Sequence, residues 1–564
     1  MRELRLSIVW SRRVLTEVCL ASLIGLLIGV ITTAYGLVFN YLSTAVETYL
    51  KNFTLVIALS TLLLLTSYVL VRSSSFRSGS VLEDFLLTYH FRGGYVSIKD
   101  LALILIASLA TVSAGGSVGV AGIAVFTGYA LAKYLVDRLG IIYDRKYYSI
   151  VGAVAGISAV FKAPLTGMAF SLEMPFKRGI EVSYLLPSLA SALTAYVVSK
   201  LFFGGRELLE FIKPKTYALT YSLILHSIMI GFLAVLTVFM AYTLKYSLRF
   251  IKVKFLAKYP YTIPLVASST IILAFTTVPE VLGSGYSLIP KLLEIEEYGA
   301  LISISLIKLI LTLLILEFGG AGGIFVPLLI SGAALGAAYG RLLNLPYVDL
   351  LMMAGIAGVF SAGNKVLLTS VLLAAESGGL IAVIPAGISA AIAYSLSVYT
   401  SIHFLQPPIG HGRIRARLSK LLTLMCNEGY DYLSKSDLKQ YLRSPCIVRA
   451  EEGIIDALTK CLKHKYIVVT GSRSLSYVRT SVLATYSKLN LNVGDVAEKM
   501  PSIRVKDGLS RAIEEIVYGN NDLVVITDDN GIPRGILGIE DVEEILRRVL
   551  ISKCVVVIDE GKLT

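Results

Sequence analysis

From Val14 to about Tyr399 the sequence is a succession of apolar stretches, each about as long as the 20 residues a helix needs to cross a bilayer. Their centres fall near residues 27, 62, 107, 128, 160, 192, 231, 270, 309, 331, 365 and 390. Only 16% of the 564 residues are charged, against about 25% in soluble domains. The 55% hydrophobic content excludes intrinsic disorder, and five cysteines in so long a chain exclude a secreted disulfide scaffold. The pattern is that of a polytopic α-helical membrane protein. Arg2, Arg5, Arg12 and Arg13 precede the first run, which places the N-terminus on the cytoplasmic side. That run, Val14–Phe39, is too long for the apolar core of a cleaved signal peptide. The net charge of +13 is read the same way, as basic cytoplasmic loops, and no nucleic acid is expected as a partner.

Several stretches are broken by glycine, notably Ala114–Gly122 and Gly319–Pro327. Such breaks are tolerated in a membrane only where the backbone is buried in protein or lines a polar cavity. Gly115, Gly116, Gly119 and Gly128 each meet a second glycine, Gly319, Gly320, Gly323 and Gly332, at a constant offset of 204 residues. GISAVF (Gly156–Phe161) is matched by GIAGVF (Gly355–Phe360), and Glu173 by Glu376, at nearly the same offset. Duplicated halves with broken helices are how many transporters are built, with substrate at the interface of the repeats. Each break starts a helix, whose free N–H groups and positive dipole end suit an anion. Two such starts converging would hold a small anion without a formal cation. No metal-ligand cluster, nucleophile triad or phosphate-binding loop occurs in the membrane region, so the expectation is an anion pathway and not an enzyme.

After Gln406-Pro407-Pro408 the composition changes. HGRIRARLSK (His411–Lys420) is a basic linker suited to an anionic leaflet, followed by a soluble α/β region. In its second part Ser510 is expected to cap a helix (RAIEEIVYG). Strands LVVIT (Leu523–Thr527) and GILGI (Gly535–Ile539) follow across the turn DDNG, then a helix from Asp541. A weaker copy precedes it: helix IIDALTKCL (Ile454–Leu462), strand YIVVT (Tyr466–Thr470) and a helix near Thr480. The predicted division is a transmembrane domain at 1–410, a linker at 411–432, and two β-α-β-β-α copies at 433–490 and 491–564. Cys426, Cys446, Cys461 and Cys554 are expected to be reduced.

At this point the residues resemble the CLC family of chloride channels and chloride/proton exchangers. Gly152–Glu173 is similar to one of the family's best-preserved helices, GGIFVP (Gly322–Pro327) to its GxFxP segment, and GGSVGVAG (Gly115–Gly122) to its G-R/K-E-G-P motif. RSGSV (Arg77–Val81) is a weaker counterpart of GSGIP, and the C-terminal tandem resembles a pair of CBS domains. The resemblance implies an inverted repeat and a homodimer in the lipid bilayer with one pore per subunit. Chloride would be held by the backbone of Gly119, Val120, Ala121 and Gly122 on one side and Gly323, Ile324 and Phe325 on the other, with Ser78 as the central hydroxyl. His403, in SIHFLQ (Ser401–Gln406), stands where the family has a tyrosine, and Tyr399 is the alternative.

Exchangers of the family carry protons on two glutamates. The outer position here is Ala121 and the inner one Met174, and neither side chain binds a proton. The resemblance therefore implies passive chloride conduction; the alternative is an exchanger with relocated acids, Glu317 first among them. Glu173 and Glu376, which end matched helices, read as structural, and Lys162 and Lys365 are assigned no role. In the CBS-like tandem Asp541 stands where an aspartate often holds a nucleotide ribose, so ATP or another adenine nucleotide is a candidate ligand. Gly538 replaces the usual hydroxyl residue three positions earlier.

Overall fold

The computed structural model describes residues 2–553 apart from short segments, chiefly 50–51, 92–95, 140–144, 205–211, 255–258, 407–417, 423–430 and 484–490. The chain divides into two compact units, one of Met1–Leu87 with Gly94–Pro408 and one of Thr88–Gly93 with Ile409–Thr564.

The first unit is built from helices. Its first half comprises α1 (Arg2–Tyr49), α2 (Phe53–Ser73), α3 (Val81–Phe91), α4 (Ile98–Ser113), α5 (Ala121–Arg138), α6 (Arg145–Phe161), α7 (Pro164–Glu173) and α8 (Leu185–Phe203). The second comprises α9 (Tyr221–Ile251), α10 (Thr262–Thr277), α11 (Leu288–Lys291), α12 (Tyr298–Glu317), α13 (Phe325–Leu342), α14 (Val348–Asn364), α15 (Leu367–Gly378) and α16 (Leu380–Leu396). Among the described residues, six helices are long and apolar enough to cross a membrane. Leu23, Leu62, Phe232 and Leu236 point outward on them, as lipid-facing residues do, whereas glycine and alanine fill the interior.

The halves pack alike. α1 lies on α6 and α8, and α9 on α14 and α16; α5 lies on α6, and α13 on α14. At the tightest crossings Gly128 meets Gly152 and Gly332 meets Gly355, and a methyl group on any of the four would strike the carbonyl oxygen of its partner. Two spans expected as single helices, centred near 160 and 365, are each two. The chain breaks at Lys162 (φ 54°) and Lys365 (φ 62°), left-handed conformations that end α6 and α14. The short helix α3 was not expected from hydropathy.

In the second unit the order is β1 (Cys446–Arg449), α17 (Ile454–Cys461), β2 (Tyr466–Thr470), β3 (Ser476–Arg479), α18 (Val493–Val496), β4 (Glu498–Lys499), β5 (Ser502–Arg504), α19 (Gly508–Tyr518), β6 (Leu523–Thr527), β7 (Pro533–Gly538) and α20 (Ile539–Lys553). β1-β2-β3-β4 form one sheet and β5-β6-β7 another. Both open with a parallel pair, β1 with β2 and β5 with β6, followed by an antiparallel one. Tyr466 and Val468 pack with Leu523, Val525 and Ile536 in a shared core. The linker at 411–420 and the helix near Thr480 lie largely outside the described residues.

Three local expectations are corrected. α19 begins at Gly508, ahead of Ser510, because the Asp507 carboxylate accepts the Arg504 N–H (3.0 Å) and sets the turn that leads into it. α20 begins at Ile539 because Asp541 accepts the Gly538 N–H (2.9 Å) and caps the helix start. Cys446 and Cys461 are not reduced thiols: they form a disulfide, the return from β1 through α17 bringing their Cα atoms to 5.8 Å. Cys426 and Cys554 lie outside the described residues.

Candidate functional site

The two glycine breaks meet. After α4 the chain turns through Gly115 (φ 86°), and after α12 through Gly319 (φ 116°). Gly119 and Gly323 then exchange N–H···O bonds in both directions, at 2.8 and 3.0 Å. Gly322 donates to Gly79 O (3.0 Å) and accepts from Val81 N–H (3.1 Å), which brings the start of α3 onto the same strip of backbone. A methyl group at Gly323 would lie 2.8 Å from Gly119 O and 2.9 Å from Gly122 N, so only glycine lets the strip close.

α5 and α13 begin here without a cap, since neither Val120 nor Ile324 offers a side-chain acceptor. Their first-turn N–H groups have no intrahelical partner, and the dipole adds positive potential. Val120, Ala121, Gly122, Ile324 and Phe325 are all buried. The backbone set named from sequence is therefore gathered around one junction. The Phe325 ring packs on Phe360 (4.3 Å between centroids), Phe161 (4.7 Å) and Phe170 (5.2 Å), closing the second start with aromatic faces from α14, α6 and α7.

Ser78 lies at the start of α3, and its hydroxyl accepts the Ser80 N–H (3.1 Å). Sequence reasoning missed Ser80, whose own hydroxyl is buried and makes no hydrogen bond among the described residues. His403 is fully buried, with Nε2 2.8 Å from Asn364 Oδ1 and Nδ1 unpartnered among the described residues. A neutral ring held by that carbonyl oxygen donates from Nε2 and presents a lone pair at Nδ1. Gln406 donates to Met174 O (2.8 Å) and Asn364 O (2.9 Å), latching the Ser401–Gln406 segment onto the ends of α7 and α14. Tyr399 lies outside the described residues.

Ala121 is the first residue of α5, and Met174 caps the C-terminal end of α7; both are buried. Glu173 and Glu376 have reciprocal tasks. Glu173 accepts from Leu368 N–H (2.9 Å), Thr369 N–H (2.8 Å) and the Thr369 hydroxyl (2.7 Å) at the start of α15. Glu376 accepts from Leu165 N–H (2.9 Å), Thr166 N–H (2.8 Å) and the Thr166 hydroxyl (2.6 Å) at the start of α7. Lys162 and Lys365 have a matched task as well, each donating to a carbonyl at a helix C-terminus, Gly204 O after α8 and Ser397 O after α16.

Glu317 is buried at the end of α12 and accepts from Arg249 Nε (3.1 Å). Arg249 also pairs with Glu83 of α3, which in turn binds Lys245 Nζ (2.7 Å). Lys245 donates further to Ile402 O (2.8 Å). This network ties α3, α9, α12 and the Ser401–Gln406 segment together; of its members only Glu317 stands alone in an apolar run, the signal that singled it out in the sequence.

In the second unit Asp541 is already engaged, by Arg443 and by the Gly538 N–H. Arg443 also exchanges backbone bonds with Ile536 (3.1 and 3.0 Å). Arg479 pairs with Asp522 across the two copies (2.8 Å). Burial, with Glu498 beside it, pushes the Tyr477 hydroxyl well above its ordinary pKa, so it donates to Glu498 Oε2 (3.2 Å) at every physiological pH.

The fold and the junction define a helical membrane protein with duplicated halves meeting at paired helix starts. Residues 62–398 match the Voltage gated chloride channel family, and the chain belongs to it. It is 30% identical over 291 residues to voltage-gated ClC-type chloride channels of Shigella flexneri and Escherichia coli O157:H7, covering 50% of this chain and 68% of theirs. Among solved structures it is similar to a CLC-type fluoride/proton antiporter, with a TM-score of 0.63 and 23% identity over 70% of this chain and 98% of that one. It is similar too to a eukaryotic CLC transporter, with a TM-score of 0.61 and 17% identity over 93% of this chain and 98% of the other. At these identities the structural likeness speaks for the fold.

Proposed function

We propose that the protein conducts chloride passively across a membrane, the ion being held between the starts of α5 and α13. The observation that carries this is the reciprocal Gly119–Gly323 pairing, which sets two uncapped helix starts side by side in a buried junction. Ala121 and Met174 supply no proton carrier at the two positions where exchangers of the family have glutamates. Chloride flux is then not tied to proton flux, and the methyl group of Ala121 leaves the outer anion position open. The protein works as a homodimer with one pore per subunit, its N-terminus and second unit in the cytoplasm. The second unit is a CBS pair acting as a regulatory platform. An adenine nucleotide reaching Asp541 there has to displace Arg443.

The second reading is exchange with Glu317 as the proton carrier, favoured by its burial beside the second break. Paired ion flux from purified protein in liposomes separates the two. Chloride efflux is started with a potassium ionophore while external pH is recorded without a protonophore. Efflux with no uphill proton uptake is the expected result. Proton uptake driven by the chloride gradient overturns passive conduction in favour of Glu317, and absence of chloride flux overturns both.

A further inference from the structure

Two of the buried lysines in the first unit have a visible counter-charge, and a third lies at a helix end. Lys245 has Glu83 (2.7 Å) and Lys133 has Asp137 (2.6 Å), while Lys365 sits on the negative end of α16. Lys308 on α12 differs. Its side chain is fully buried, and its ammonium donates only to two loop carbonyls, Val281 O (2.8 Å) and Gly283 O (2.9 Å), among the described residues. Isolated buried charges are costly, and carbonyl dipoles do not neutralise one.

The position of this ammonium is well defined. Gly283 N–H donates to Gly115 O (2.9 Å), within the first break. One turn along α12, the Thr312 hydroxyl bonds the Ser117 hydroxyl (2.7 Å) inside that break. A methyl group at Gly285 would lie 2.9 Å from Lys308 Nζ and 2.6 Å from Ile330 Cδ1 of α13. Ile330 is five residues past the start of α13, about 7.5 Å along the axis. The ammonium is thus wedged between the first break and the opening turns of the second start.

We propose that Lys308 is the fixed cation of the anion pathway, and that the permeating anion is its counter-charge. This rests on the chloride reading above and adds the residue that sets chloride affinity. Helix starts alone supply partial charges; in its ammonium form Lys308 adds a full one, and an anion beside it stabilises that form against the cost of burial.

The test is chloride flux in liposomes against chloride concentration for wild type, Lys308→Met and Lys308→Gln. Both variants are expected to raise the half-saturating chloride concentration several-fold, because removing a buried cation weakens the attraction for an anion in a poorly screening medium. Maximal flux is expected to change far less. Glutamine retains a donor for Val281 O and Gly283 O, so a Lys308→Gln protein with wild-type affinity overturns the inference. Failure of both variants to fold assigns Lys308 a structural role and overturns it too. A wild-type protein that passes no chloride instead removes the chloride reading itself.

Discussion

The two halves of the membrane unit share a backbone and differ in what they hang on it. Gly119 and Gly323, Gly128 and Gly332, Lys162 and Lys365, Glu173 and Glu376 occupy matching places and make matching contacts. Around the junction the correspondence ends. At the offset of 204, Ala121 faces Phe325, Ile104 stands where the second half has Lys308, and Ser113 where it has Glu317. The first start has small side chains; the second is walled by aromatic rings, and the buried lysine and buried acid of α12 both come from the second half. The repeated backbone supplies the converging helix starts, and the side chains around them differ.

That contrast can be attacked where the halves touch. Gly323→Ala puts a methyl group against Gly119 O and Gly122 N, which are backbone atoms unable to swing aside, and chloride flux in liposomes is expected to vanish. A variant with full flux would show that the junction is not the pathway. Glu83→Leu removes the carboxylate that faces Lys245 and Arg249. It is expected to lower stability by about 3–5 kcal/mol, the usual result of orphaning a buried charge, read as an earlier unfolding midpoint in detergent. An unchanged midpoint would mean that the charge network is not part of what holds α3 to α9. The smallest effect tests the shared part of the scaffold. Glu173→Gln and Glu376→Gln each turn an acceptor into an amide facing N–H groups, at a cost of about 1–3 kcal/mol. Glu173 is the more buried of the two, so its substitution should cost more; equal costs would make the two corners interchangeable.

Much of this scaffold was legible in the sequence because glycine records backbone geometry directly. Registered glycines marked both breaks and one partner at each crossing, Gly128 and Gly332, whereas the match of Gly156 to Gly355 fell one turn away from Gly152, which makes the contact; strands such as Tyr466–Thr470 and Leu523–Thr527 stood out by composition. What hydropathy could not show was the left-handed turn at Lys162 and Lys365, since a helical apolar run and a broken one average alike. Nor could it show contacts between distant elements. The Glu83–Lys245 pair spans 162 residues and the bond from Lys308 to Gly283 crosses from one helix to a loop. The Cys446–Cys461 link depended on how a strand and helix fold back. The charges around the junction, which carry the difference between the halves, belong to this second kind.

The crossed carboxylates at Glu173 and Glu376 make each half finish the other. Each half holds the acceptor for its neighbour's helix start and none for its own. A single half of this design would leave three donors bare at the start of α7 or α15, and the two halves facing each other satisfy both sets at once. Each start is therefore complete only when both halves are folded, and the exchange makes the two halves a single cooperative unit.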